Sequence, residues 1–150
     1  MDLILWRHAE AEEGGPDLER KLTSKGQKQA ARMAEWLLQR LPSKFLVLSS
    51  PARRAVQTAE ALGRAHRISP GLAPGASPAD VLEAADWPRR KGAVVVAGHQ
   101  PTLGCTAAWL VGGNAFEWSL RKGALWWLSY RVRNGESQVV VRAVMSPEML

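Results

Sequence analysis

Arg7 and His8 stand side by side where a short apolar run, residues 3–6, stops. Ser49 and Ser50 end a second such run, with Arg53 and Arg54 just beyond it. His99 follows a third, and Gln100 and Pro101 come after it. Two of the chain's three histidines are thus delivered at the ends of apolar runs, and two of those ends also deliver arginine. Guanidinium groups clamp a tetrahedral oxyanion through planar, often bidentate, hydrogen bonds. A neutral imidazole is a nucleophile near neutral pH. A second imidazole, protonated beside the anion, adds charge where phosphoryl transfer develops it. The set suits phosphoryl transfer through a phosphohistidine intermediate, with cationic side chains in place of a metal; no metal and no cofactor are expected.

Those residues need elements to hold them. Leu3 to Trp6, Phe45 to Ser49 and Ala93 to Ala97 are continuous apolar runs, the pattern of strands buried on both faces. Between the first two lies a polar loop, residues 9–22, and then a stripe of Ala30, Met33, Ala34, Leu37, Leu38 and Leu41 that predicts a helix stopped near Pro42. Ser24 and Gln27 have capping-box spacing at its start. A second helix is predicted from Ala52 to about His66, with Val56, Ala59 and Leu62 on one face. Ser77 and Pro78 open another, which ends before Pro88. A further helix follows His99 and closes at Gly112-Gly113. In the tail, two β-rich runs flank Asn134-Gly135, a strong hairpin signal.

This alternation predicts one α/β domain over residues 1–150: a three-layer sandwich with a mostly parallel central sheet, helices on both faces and a C-terminal hairpin at the edge. Ligands of open α/β sheets bind beyond the carboxyl ends of the strands. His8, Arg54 and His99 all fall on that rim.

The rest of the composition narrows the choice. The net charge is +6, but the basic residues are dispersed and no nucleic-acid motif appears, so an anionic small molecule or protein is the expected partner rather than nucleic acid. No apolar run is long enough to span a bilayer. The N-terminal apolar run is short and follows an acid, so no secretory signal is expected. With one cysteine, Cys105, no internal disulfide can form, and cytoplasmic residence is the expectation. Cys105 reads as a buried helix thiol, and His66 as a surface or helix-end residue.

Four segments together, "RHAEA" (Arg7 to Ala11), "LTSKG" (Leu22 to Gly26), "SSPARRAVQTA" (Ser49 to Ala59) and "VVVAGHQP" (Val94 to Pro101), resemble the histidine phosphatase superfamily, the phosphoglycerate-mutase-like fold. "LRKGAL" (Leu120 to Leu125) resembles the ending of its small SixA-like branch, the phosphohistidine phosphatases. The resemblance implies that His8 is the nucleophile, that Arg7 and Arg54 clamp the phosphoryl group, and that His99 is the second phosphate-binding histidine. Arg20 is implied as a substrate-rim residue, Arg53 as a neighbouring rim charge, and Gln57 and Thr58 as supports of Arg54.

Two departures from the family pattern matter. Ala9 stands where the family usually has glycine, which suits an extended backbone. Larger members carry an acid that protonates the leaving group; here only Asp80 and Glu83 are available, and Asp80 also fits a helix cap. A phosphohistidine has a labile P–N bond whose imidazole is easily protonated, so a site without a strong acid favours it over alkyl esters. Few residues remain for lids, and an open site admits a side chain presented by another protein. The expected activity is therefore metal-independent hydrolysis of protein-borne phosphohistidine. The alternatives are a broad small-molecule phosphomonoesterase and a non-catalytic phosphoprotein-binding module.

Overall fold

The computed structural model describes residues 1–150. Leu3 to Trp6 are fully buried within strand β1 (Asp2–Arg7). A loop with a short 3-10 turn at Asp17–Glu19 leads to helix α1 (Ser24–Leu38). Strand β2 (Phe45–Ser49), helix α2 (Arg53–Glu60), the two-residue strand β3 (Arg67–Ile68) and helix α3 (Pro78–Ala85) come next. Strand β4 (Ala93–Gly98), buried throughout, runs into helix α4 (Thr102–Gly112). Strands β5 (Leu125–Arg133) and β6 (Glu136–Met145) complete the chain as an antiparallel hairpin.

All six strands form one sheet in the order β3-β2-β4-β1-β5-β6. The first four in that order are parallel and the hairpin is antiparallel. Side chains alternate across a strand, and β1 divides accordingly. Leu3 and Leu5 join a cluster with Val81, Ala85, Leu103 and Ala107, beneath α3 and α4. Ile4 and Trp6 join Met33, Leu37 and Ala59, beneath α1 and α2. This is the three-layer sandwich that the alternating elements imply. No helix is long and apolar enough to cross a membrane.

Several local expectations are corrected. The N-cap of α1 is Thr23, not Ser24: Thr23 is extended and its side chain accepts from the Gly26 N–H at 2.9 Å. Helix α2 stops at Glu60 instead of reaching residue 66: Gly63, with a φ of 62°, turns the chain out of the helix, and it then enters β3, which pairs with β2. Cys105 lies on α4 but is only partly buried. Gly26 is required by a close approach, since a Cβ there would overlap the backbone carbonyl of Glu10. That contact seats the start of α1 directly on the segment following His8.

Candidate active site

Strand β4 lies between β1 and β2, and that position builds the site. Arg7 pairs in register with Gly98, and Ala97 pairs with Ser49. His8, Ser50 and His99 therefore emerge side by side from three adjacent strands. The His8 and His99 ring centroids are 5.3 Å apart. Arg54, in the first turn of α2, reaches across both rings. Its Nε donates to His8 Nε2 at 3.3 Å, and its Nη2 lies 3.5 Å from His99 Nδ1. Exposure is 7% for His8, 5% for His99 and 4% for Arg54, so the cluster is largely shielded from water.

The backbone of His8 is held from both sides. Its N–H donates to the Gly98 carbonyl, and its carbonyl accepts from the Gly123 N–H, each at 3.0 Å. Gly123 adopts a φ of 77°, a conformation open to glycine, which explains the glycine of the Leu120–Leu125 segment. In the same turn, the Leu120 carbonyl accepts from Arg7 Nη1 at 2.6 Å. Arg7 Nε is buried without a hydrogen-bond partner, leaving a donor that an anion can take up.

His8 Nδ1 lies 2.8 Å from the Ala9 carbonyl. A carbonyl only accepts, so Nδ1 carries the proton and the lone pair sits on Nε2, facing Arg54. Ala9 is fully buried and its φ is not positive, so the added methyl is accommodated without strain. Its N–H donates to Thr58 Oγ1 at 3.1 Å, and the Thr58 hydroxyl donates to the Arg54 carbonyl at 2.7 Å. Thr58 thus ties the segment that follows His8 to the helix that carries Arg54. Gln57 supports the rim, with Oε1 accepting from the Leu22 N–H at 2.7 Å.

Two residues of the cluster carry no assigned role in the sequence reading: Ser50, placed there at a strand end, and Asp17. Ser50 Oγ lies 2.7 Å from His99 Nε2 and also accepts from the Ala52 N–H at 3.1 Å, so it fixes the ring and leaves His99 Nδ1 facing the site. Asp17 bridges two arginines. Its carbonyl accepts from Arg54 Nη1 at 2.7 Å, and its carboxylate lies 3.2 Å from Arg54 Nη2 and 3.1 Å from Arg20 Nη2. Arg20 reaches the cluster only through Asp17, while Arg53 is exposed. The signal for Asp17 was its place three residues before Arg20. Ser50 is read at a strand end, but its pairing with His99 is not.

Burial is the largest single influence on Asp17 and opposes its ionisation, but the hydrogen bonds and charges of Arg54 and Arg20 together outweigh it and hold its carboxyl below the usual carboxylate range. It is therefore no proton donor near neutral pH. Asp80 Oδ2 accepts from the Ser77 N–H at 2.8 Å in the cap of α3, and Glu83 is exposed on the same helix. Neither carboxylate is bonded to the cluster. Nowhere do three His, Cys, Asp or Glu side chains converge as a metal-holding group.

Burial, reinforced by the neighbouring cations, lowers His8 from 6.5 to about 4. Burial, then the His8 and Arg54 charges, lowers His99 from 6.5 to about 3. Both rings are thus neutral in the free protein at neutral pH. Below 6.5 the unfolded chain takes up protons that the folded chain refuses, so stability is full above that pH. It falls as the pH drops through about 4 and then about 3. Urea midpoints are expected to decline from pH 7 to pH 4, by on the order of a few kcal/mol in stability. The decline should be shallower in a His8→Gln/His99→Gln variant; equal slopes would refute the assignment.

Comparison with known proteins agrees with this geometry. The structure of the protein histidine phosphatase SixA complexed with tungstate superposes with a TM-score of 0.84 at 26% identity, covering 99% of both chains. A protein assigned as a phosphohistidine phosphatase SixA, from Nakamurella multipartitia, gives a TM-score of 0.81 at 28% identity, over 97% of this chain and 95% of that one. A SixA-type protein from Agrobacterium tumefaciens shares the fold, with a TM-score of 0.79 at 21% identity over 97% and 98% of the two chains. No curated protein sequence matches. The model of the histidine phosphatase superfamily (branch 1) matches residues 3–77, half of the chain and the part that carries Arg7, His8 and Arg54. On that match, the chain belongs to the histidine phosphatase superfamily.

Proposed function

We propose that this protein is a phosphatase that hydrolyses protein-borne phosphohistidine through a covalent phosphohistidine on His8. The observation that carries this reading is the held tautomer of His8: Nδ1–H on the Ala9 carbonyl and the Nε2 lone pair turned toward the Arg54 guanidinium. The family of the chain is one of phosphatases, and the SixA structure similar to it over its full length is named a protein histidine phosphatase.

In this mechanism the phosphoryl oxygens displace the resting contacts of Arg54 and are held by Arg7, Arg54 and His99. His8 Nε2 attacks phosphorus in line, and the P–N bond to the substrate imidazole breaks with its electron pair going to that nitrogen. The leaving imidazole takes a proton from water, so the depressed Asp17 is not needed as an acid. Water then attacks the phosphoryl group on His8, releasing inorganic phosphate and restoring the free imidazole. The phosphoryl dianion favours protonation of His99 at Nδ1 once bound, with Ser50 Oγ on the opposite nitrogen.

The test is a substrate panel. A phosphohistidine protein is expected to be turned over with higher kcat/KM than 3-phosphoglycerate, sugar phosphates or nucleotides. Comparable or better turnover of 3-phosphoglycerate would overturn the proposal in favour of a small-molecule phosphomonoesterase.

A further inference from the structure

Beside Arg7 lies a basin of about 630 Å³ with no hydrophobic side chain in its lining. Lys25, Lys28 and Arg32 form one wall, spaced along a single face of α1. Arg121 and Lys122, from the turn that holds His8, form the other, and Arg7 belongs to the lining. Glu148 is the one acid there, and it is paired with Arg121 at 3.2 Å. Lys25, Lys28, Arg32 and Lys122 have no ion-pair partner in the chain and are all exposed. The mechanism above uses only Arg7 of this group.

Like charges gathered without partners repel one another, so the basin is complete only with an anionic occupant. Its shape says which kind. From Lys25 to Arg32 the wall extends about 10 Å along the helix, longer than a single phosphate. The donors, Arg7 apart, are long, exposed side chains rather than buried, fixed groups. Such cations steer and orient a charged surface more than they clamp one small ion. They also adjoin the arginine that faces the reacting phosphoryl group.

We infer that the basin docks carboxylates flanking the phosphohistidine on an acidic partner protein. This inference rests on the proposed phosphohistidine phosphatase activity and adds the chemical character of the partner. The cations align the acidic rim of the partner and seat its phosphohistidine at Arg7 and His8. The attraction works across a range near the Debye length, about 10 Å at 0.1 M salt, and is therefore salt-sensitive.

The test uses two synthetic peptides of equal length, each with one phosphohistidine, flanked by glutamates in one and by serines in the other. N-Phosphoimidazole serves as the small substrate. At low salt the glutamate peptide is expected to show about tenfold higher kcat/KM than the serine peptide, the advantage shrinking toward parity at about 0.5 M NaCl. The variant Lys25→Glu/Lys28→Glu/Arg32→Glu should lose the advantage while hydrolysing N-phosphoimidazole at the wild-type rate. All three positions are exposed, so the variant is expected to fold, and a thermal melt checks this.

Equal kcat/KM for the two peptides would overturn the inference, as would a preference that survives in the triple variant. Inhibition by inorganic polyphosphate without any peptide preference would assign the basin to linear polyanions and also overturn it. If the wild type hydrolyses neither peptide nor N-phosphoimidazole, the phosphatase reading fails separately. Fluorescence anisotropy with the unphosphorylated glutamate peptide then decides the docking: binding lost in the triple variant supports it, and no binding refutes it.

Discussion

His8→Ala is expected to abolish turnover of both a phosphohistidine protein and p-nitrophenyl phosphate, by a factor on the order of 10⁴ or more. The size of the effect follows from the role. No other side chain places a lone pair where His8 Nε2 stands, and in the proposed mechanism Arg54 and His99 are engaged in holding phosphoryl oxygens and do not replace it. Labelled phosphoryl transfer should put radiolabel transiently on the wild type, trapped by quenching in base, and none on the variant. Retained label or unchanged turnover in the variant would move the nucleophile elsewhere. Substrate binding by the wild type without any label would favour a phosphoprotein-binding module.

Loss of Arg54 ranks second. Its guanidinium meets His8, His99, the Asp17 carbonyl and the Asp17 carboxylate, and so links both histidines to Asp17. Arg54→Ala should lower kcat/KM by about 10²- to 10³-fold, because it removes charge aimed at the developing oxyanion in a largely dry site. Arg54→Lys is the sharper experiment. It keeps the positive charge but replaces a planar fork with a point donor, which cannot serve two acceptors at fixed angles. Most of the loss should therefore persist in Arg54→Lys. Near-wild-type kcat/KM in that variant would mean that net charge alone suffices and that the fork geometry is irrelevant.

The opposite rankings of burial and charge in the site share one physical origin. Water is kept from His8 and His99, which makes both rings hard to protonate and leaves His8 a free base at neutral pH. The same exclusion strengthens the hydrogen bonds that Arg7 and Arg54 offer an arriving oxyanion. On the proposed mechanism, such a site would attract a dianion and present it to a neutral His8, with no strong acid required when the leaving group is an imidazole.

The sequence by itself determined the three central strands, because a strand covered on both faces must be apolar without interruption, and Leu3–Trp6, Phe45–Leu48 and Ala93–Ala97 are such runs. It determined the hairpin through Asn134-Gly135, whose backbone suits a tight turn. It also placed Arg7, His8, the Arg53-Arg54 pair and His99 on one rim, since polar side chains at the ends of buried strands collect there; the choice of Arg54 over Arg53 came from the resemblance to the family. Only the tertiary structure decided that β4 enters between β1 and β2, which sets His99 beside both His8 and Ser50; strand order comes from packing across the whole sheet and leaves no local trace. The roles of Asp17 and Ser50 were hidden for a related reason, as their partners lie 37 and 49 residues away. The basic basin shows the same limit from the other side: Lys25, Lys28 and Arg32 are far in the chain from Arg121 and Lys122, and no charged block marks them. The packing of α1 beside the turn that holds His8 gathers them into one surface.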